Sequence, residues 1–417
     1  MPPNGTHASV EDDLALLLCQ TRQRRAHTER HIQHLASKAR PETLASNWER
    51  QWLLGLAGTR LREAAPSFRD PVVDGRVDAF VERTRRPNAL TGVLTLELLA
   101  ELDRHEIRAV PIKGPLLGRM LYGDFGIRAS YDIDLLVHAE RLERAVEVAA
   151  RHGHEAAPDP IGKGGLPQLH RTLKDPRRRL PDIEVHWRVH WYESDFSSSL
   201  IDQSIECGVR GRRPRPVDDL ALLLLAYARD GFTGLRYLAD IGAWWDVYGH
   251  SLDRYAMDEL LESYPALRPS LLASIRLGER LVGLPAGFLC SSRWLQPGRD
   301  SRAVRMANWS AKGDADQVAA NTGLVDFLLA PAEGRWAAVR RQLLPPAAVV
   351  DGMFSLPEGS RVRRQWARLV HFGKVSGRFA IAMWRTRGTH ALGPAPERVA
   401  AESYESAAGR IERPSAA

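Results

Sequence analysis

Cysteine is scarce in this sequence. The three cysteines, Cys19, Cys207 and Cys290, lie far apart in a chain of 417 residues. An odd and scattered set forms neither a disulfide framework nor a Cys-x-x-Cys metal knuckle, so it excludes disulfide-rich scaffolds and cysteine-based zinc ribbons. We therefore expect the protein to work in a reducing compartment, the cytoplasm.

Long apolar runs are also missing. The longest, Leu220 to Tyr227, is much shorter than the roughly 18–20 residues that a membrane-spanning helix needs. The segment from Met1 to Asp13 is polar and acidic, and it lacks the basic stretch followed by an apolar one that marks a secretory signal. The sequence thus predicts neither a membrane partner nor export.

The remaining composition is that of a globular protein. Hydrophobic residues make up 44% of the chain and charged residues 26%, and the length suggests about two or three domains. The net charge of +7 fits an anionic partner such as a nucleotide phosphate or a nucleic acid. An arginine-rich composition gives the same balance without a specific partner, so the charge alone does not decide.

Apolar spacing divides the chain into regions. Residues 10–104 carry apolar residues three and four positions apart, which predicts helices, and 216–387 return to the same pattern. Residues 105–215 predict an α/β core, with these strands and helices: Ile107–Ile112, Gly114–Tyr122, Tyr131–Val137, Glu140–His152 and Asp182–Trp191. Residues 1–9 and 388–417 are predicted to be disordered. The predicted fold class is α+β, a small mixed β-sheet flanked by N-terminal and C-terminal helical segments.

Two aspartates lie on the second predicted strand. Side chains alternate between the faces of a strand, so Tyr131, Ile133, Leu135 and Val137 are expected to face a core, and Asp132 and Asp134 the other side. Carboxylates on one face repel each other, and a divalent cation is the simplest compensation. Oxygen ligands of this kind suit Mg²⁺ or Mn²⁺. The alternative without a metal is that Asp132 and Asp134 are two solvated residues on an exposed strand.

The third predicted strand offers another carboxylate. Apolar residues alternate there with Glu184, His186, Arg188 and His190, which predicts one polar face. If this strand lies beside the second, Glu184 joins Asp132 and Asp134, and three carboxylates can hold two metal ions for displacement at phosphorus. His186 is then either close to the metal and substrate or simply exposed.

A phosphate site is expected upstream. Lys113 and Gly114 join a strand to a helix, where a helix N-terminus favours an anion and glycine permits close backbone approach. Lys113 supplies a positive charge at the same end, and Arg128 is placed to reach the same phosphates. Asp240, on a later predicted helix, either faces this cleft or has a structural role.

Together these residues resemble a known family. Lys113-Gly114, Asp132-Ile-Asp134 after Arg128, and Glu184-x-His186-Trp187 are similar to the largely uncharacterised bacterial nucleotidyltransferase family of the DNA polymerase beta-type superfamily, over roughly 45–250. The resemblance implies a nucleotidyltransferase core and a metal-dependent transfer of a nucleoside monophosphate from an NTP, with ATP the expected donor. It implies Asp132, Asp134 and Glu184 as metal ligands and Lys113, Gly114, Arg128, Ser130 and His186 as nucleotide-binding residues.

Two alternatives stay open at this stage. The wider superfamily opens its helix with Gly-Ser where this chain has Lys113-Gly114, and Ser130 is not an evident substitute. That departure favours a catalytically degenerate protein that binds nucleotide or RNA, although the retained carboxylates favour the enzyme. A small-molecule phosphotransferase is a third reading. The acceptor, whether small molecule, peptide or protein, is not indicated.

Overall fold

Helices occupy the chain before the sheet, as the apolar spacing predicted. Side chains at the N-cap position stabilise the start of several of them. The Ser9 side chain accepts a hydrogen bond from the backbone N–H of Asp12, and the Asp70 side chain accepts from those of Val72 and Val73. The five helices of this part are α1 Val10–Cys19, α2 Arg22–Lys38, α3 Pro41–Arg50, α4 Leu54–Ala64 and α5 Pro71–Arg104. The computed structural model describes residues 9–157, 168–207, 211–285, 287, 289–291, 293–294, 301–307, 323–331, 335–347, 350–351, 354 and 361–385.

A mixed five-stranded sheet follows, in the spatial order β1-β2-β5-β4-β3. Strands β2 and β5 are parallel, and the other neighbours are antiparallel. Strand β1 forms an edge, which suits its Pro111. The elements are β1 Ala109–Pro111, α6 Gly114–Tyr122, β2 Asp132–Val137, α7 Leu142–Ala150, β3 Glu155–Ala156, β4 His170–Lys174 and β5 Asp182–His186. The expected α+β class is confirmed.

The two faces of the sheet have different surroundings. Ile133, Leu135 and Val137 of β2 are buried in a cluster that includes Leu98 and Leu102 of α5 and residues of α7. Asp132, Asp134 and Leu136 alternate with them, so the aspartates lie on the opposite face. Tyr131 does not follow the predicted pattern: it precedes the strand, is 60% exposed and packs edge-on against Trp52.

Strand β5 is shorter than predicted. The sequence pattern placed a strand from Asp182 to Trp191, but the strand ends at His186. The reason is a local turn, in which Glu193 accepts hydrogen bonds from the backbone N–H groups of Val189 and His190. Glu184 and His186 share one face of the strand, as the alternation predicted, but His186 is buried, and Arg188 and His190 lie beyond the end of the strand.

Helices return after the sheet. The hairpin of β6 Ile205–Cys207 and β7 Gly211–Arg213 separates two groups of them. The helices around and after it are α8 Asp195–Asp202, α9 Pro216–Arg229, α10 Arg236–Tyr248, α11 Ala256–Ser263, α12 Arg268–Leu277, α13 Arg302–Met306, α14 Arg335–Leu343 and α15 Arg361–Arg385. None of the helices in the described part of the chain is long and apolar enough to cross a membrane.

Helices from before and after the sheet share one hydrophobic core. Leu14 and Leu18 of α1 belong to the same buried cluster as Leu220 and Trp244 of α9 and α10. Gly242 lets α10 approach closely, because a Cβ there would lie 2.5 Å from the carbonyl oxygen of Cys19. The domain boundaries near 104 and 215 stay predictions. The expected disorder at 1–9 and 388–417 lies outside the described residues, except for Ser9, which caps α1.

Candidate functional site

Three carboxylates meet where β2 and β5 run side by side. The parallel register sets Asp134 opposite Glu184, and Asp132 lies two residues before Asp134 on the same face. One oxygen of each carboxylate lies within 4.8 Å of the others. The adjacency of the two strands, on which the sequence argument depended, is therefore present.

Asp134 is the most enclosed of the three. Its Oδ1 lies 2.8 Å from Nζ of Lys113 and 2.9 Å from Nε2 of His186. Burial would raise the pKa of this carboxyl, but Lys113 and His186 outweigh burial and hold the pKa well below its usual range. Its other oxygen, Oδ2, is buried without a hydrogen-bond partner in the described part of the chain. Asp134 thus stays ionised with an oxygen to spare.

The other two carboxylates respond to that charge differently. Burial and repulsion from Asp134 raise the pKa of Asp132. Burial acts the same way on Glu184, yet the hydrogen bond to His186 and the charge of Lys113 leave its pKa below the usual value. Among the described residues, the ammonium of Lys113 and the guanidinium of Arg236 act on the three carboxylates. The arrangement therefore has negative charge in excess and suits a further cation.

The N-terminus of α6 lies beside this cluster. Lys113 is the N-cap residue, and its ammonium, which has no acceptor for the helix N–H groups, lies against Asp134. Gly114 has a φ of +86°, and a Cβ there would lie 3.4 Å from the carbonyl oxygen of Asp132 and 3.9 Å from Oγ of Ser130. The Ser130 hydroxyl is buried without a partner among the described residues. These groups form a small polar cradle suited to an anion.

Arg128 is paired with a carboxylate in this structure, and its expected contact with the phosphates stays a prediction. Its Nε donates to the carboxylate of Asp240 at 2.9 Å, and Tyr122 Oη donates to the same carboxylate at 2.7 Å. Burial lowers the pKa of Arg128, but Asp240 and Tyr122 outweigh burial and raise it. Nη1 of Arg128 also donates to the carbonyl oxygen of Gly114, at 3.4 Å. Arg128 and Asp240 therefore anchor the start of α6 to α10.

Sequence reasoning missed His170 because it missed β4. His170 lies opposite His186 in the antiparallel register, with ring centroids 4.7 Å apart. Its Nε2 is 3.7 Å from Oε1 of Glu184. Burial and the neighbouring His186 lower the pKa of His170 to about 4. The run His170-Arg-Thr-Leu-Lys174 has one buried apolar side chain, Leu173, so it carries no strand signal strong enough to find it.

Two arginines from the later helices also reach this region. Arg229 of α9 lines a small pocket with Lys113 and Arg128. Arg236 of α10 is buried, donates to the carbonyl oxygen of Ala129 at 2.9 Å and interacts electrostatically with Asp132. Neither residue has a sequence motif, because each comes close only through the packing of helices on the sheet.

Comparison with known proteins bears on this site. A family model described as uncharacterised nucleotidyltransferase matches residues 37–283, more than half of the chain. The matched range includes the whole sheet, the carboxylate cluster and the helices up to the turn after α12. Neither curated proteins nor solved structures gave a match.

Proposed function

The chain belongs to the uncharacterised nucleotidyltransferase family, and we propose that it transfers a nucleoside monophosphate from an NTP to an acceptor by a two-metal mechanism. The observation that carries the proposal is the cluster of Asp132, Asp134 and Glu184, whose ligand oxygens lie within 4.8 Å of one another. Membership alone supports nucleotide transfer only in general terms. The donor, with ATP first, and the roles below are the proposal.

The carboxylates fit divalent ions of the Mg²⁺ or Mn²⁺ type. Oδ2 of Asp134 is buried and has no hydrogen-bond partner among the described residues, so it can serve as a ligand oxygen. The pKa of Asp132 is raised by burial and by repulsion from Asp134 that Lys113 and Arg236 offset only in part, and a cation would relieve that repulsion. Asp132, Asp134 and Glu184 are the proposed ligands. When bound, such ions stabilise the charge that develops on the attacking and leaving oxygens.

The triphosphate is proposed to lie at the start of α6. Backbone N–H groups of the first turn, near Gly114, and the unpartnered hydroxyl of Ser130 are available as donors. Lys113 neutralises Asp134 in the metal-free chain and is proposed to turn to the phosphates once a divalent ion takes over that task. His186 keeps the Asp134 carboxylate in place, and Arg128 holds the carbonyl side of Gly114.

In the proposed reaction an acceptor hydroxyl attacks the α-phosphorus. A bond forms between the acceptor oxygen and the α-phosphorus, and the bond to the bridging oxygen breaks, so pyrophosphate leaves with the electron pair. Glu184 is the proposed base for the hydroxyl proton, because its side chain is 23% exposed and open to an acceptor, whereas that of Asp134 is 1% exposed. The acceptor is a small molecule, a peptide or a protein.

The second candidate is a non-catalytic protein that holds nucleotide or RNA. The observation that favours it is Lys113, whose ammonium already occupies a cation position beside Asp134 at 2.8 Å. A chain that has given up metal binding would keep such a lysine permanently. The two candidates differ in what Mg²⁺ does, because only the enzyme needs it for turnover.

The experiment is incubation of the full chain with each labelled NTP and Mg²⁺, measuring pyrophosphate release with and without cell extract. The enzyme is expected to release pyrophosphate with one NTP when extract supplies the acceptor. The variant Asp132→Asn should abolish the release, whereas Asp103→Asn, an exposed aspartate at the end of α5, should not change it. Nucleotide binding without release, in every extract, would favour the second candidate.

A further inference from the structure

A second group of metal-ligating side chains lies next to the carboxylate cluster. His170 on β4, with Glu184 and His186 on β5, brings two imidazoles and one carboxylate together on a single face of the sheet. Their ligand atoms all lie within 4.8 Å of one another. Glu184 belongs to both groups, so the two lie side by side.

The spacing of these atoms fits a small ion. His186 Nε2 is 3.3 Å from Oε2 of Glu184, and His170 Nε2 is 3.7 Å from Oε1. Nitrogen and oxygen ligands about 2.0–2.1 Å from a tetrahedral ion lie roughly 3.3 Å apart. The observed separations are close to that edge, so small side-chain adjustments suffice to close the site.

The chemical state of the ligands also suits a metal. An imidazole binds a metal through the lone pair of an unprotonated ring nitrogen. His186 Nε2 faces two carboxylate oxygens, 2.9 Å from Asp134 and 3.3 Å from Glu184. In the metal-free chain this nitrogen carries the proton that it donates to Asp134, and a bound ion takes the place of that proton.

The ligand types decide the class of ion. Mg²⁺ prefers oxygen ligands and an octahedral shell of them, whereas imidazole suits Zn²⁺ and similar first-row ions. Two histidines and a glutamate, with the fourth position left to water or substrate, form a ligand set that catalytic zinc sites use. Asp132 and Asp134 offer only oxygen ligands, so they do not favour Zn²⁺ in this way.

We propose that His170, Glu184 and His186 form a mixed nitrogen–oxygen site for a divalent ion of the Zn²⁺ class, which shares Glu184 with the carboxylate cluster. The position that these three residues leave open would be available to the acceptor hydroxyl. This last role rests on the proposed function, but the metal site itself does not.

The test is metal binding by the full chain without nucleotide. After chelator treatment, Zn²⁺ and Mg²⁺ are titrated separately into the wild type, His170→Gln and the control His250→Gln, an exposed histidine. His170→Gln is expected to weaken Zn²⁺ binding by more than about 100-fold, since even loss of an outer partner costs 10–100-fold. Mg²⁺ affinity should not change. Equal Zn²⁺ affinity in both variants, or no Zn²⁺ binding by the wild type, overturns the proposal.

A second measurement does not depend on any variant. Anomalous diffraction at the zinc edge on wild-type crystals should locate an ion about 2.0–2.2 Å from one atom each of His170, Glu184 and His186. An ion found elsewhere overturns the site. The zinc site and the proposed function can fail separately. Zn²⁺ binding here without any NTP turnover would refute only the proposed function. Mg²⁺-dependent turnover without a zinc site would refute only the zinc site.

Discussion

Lys113 offers a sharp test of how the carboxylate cluster is balanced. Its ammonium lies 2.8 Å from Asp134, whose side chain is 1% exposed, while Lys113 itself is 22% exposed. The substitution Lys113→Met keeps the length of the side chain and removes the charge. Breaking a buried ion pair by removal of one partner costs roughly 3–5 kcal/mol. Because Lys113 is partly exposed and His186 still contacts Asp134, we expect the lower end, about 3 kcal/mol.

The same change has opposite effects on two ligands. Mg²⁺ no longer competes with an ammonium, so it should bind the variant at least about tenfold more tightly, which corresponds to about 1.4 kcal/mol. A non-hydrolysable NTP loses a charge-assisted hydrogen bond and should bind more weakly, by about 1.5–3 kcal/mol. Mg²⁺ should therefore restore part of the lost stability.

The assays are thermal unfolding with and without Mg²⁺, and calorimetry with Mg²⁺ alone and with the NTP analogue. The matched control is Lys174→Met on β4, where the lysine is 62% exposed and 3.9 Å from Asp182, so its pair is worth at most about 1 kcal/mol. The reasoning is refuted if the two variants unfold alike, or if Mg²⁺ stabilises Lys113→Met no more than the wild type.

Further predictions concern buried charges and the chemical step. Glu184→Gln should bind Mg²⁺ and NTP with modest loss yet turn over about 100-fold more slowly or worse, and normal turnover would remove its role as base. Arg128→Met should destabilise the fold by about 3 kcal/mol, because the buried Asp240 carboxylate keeps its hydrogen bond from Tyr122 but loses its arginine. Chemical denaturation should show part of this loss recovered in the double variant with Asp240→Leu. Burial raises the pKa of Asp219 to about 6 in the folded state, whereas the unfolded pKa is about 3.9. The contribution of Asp219 to the free energy of unfolding is therefore fully present below about pH 3.9 and is lost as pH rises through 6. Asp219→Asn should therefore raise the free energy of unfolding by about 2–3 kcal/mol at pH 7.5 and change it little at pH 4; equal effects at both pH values would contradict this.

Local patterns were enough for much of the fold. The helix Gly114–Tyr122 has the bounds that the sequence predicted, because glycine and proline mark its start and Gly123 its end. The strand carrying Asp132 and Asp134 was predicted to within one residue. Strand β4 was missed because its residues, apart from Leu173, are polar and show no apolar alternation.

The site was predictable only in part, because several of its contacts join elements that a local pattern does not relate. Alternation along one strand predicted that Asp132 and Asp134 share a face. The burial of His186 and the ion pair between Lys113 and Asp134 depend instead on the register between strands. Arg128 was expected at the phosphates, and its partner Asp240 is 112 residues away on a helix. Contacts of that kind follow from tertiary packing, which no local pattern specifies.

The most direct test of the central claim follows the two ends of the triphosphate separately. The full chain is incubated with Mg²⁺, extract and ATP labelled on either the α- or the γ-phosphate. If the carboxylate cluster performs nucleotidyl transfer, the α-label enters the acceptor, the γ-label leaves as pyrophosphate, and Asp132→Asn abolishes both. A γ-label on the acceptor would mean phosphoryl transfer, and transfer that persists in Asp132→Asn would contradict the assignment of the cluster.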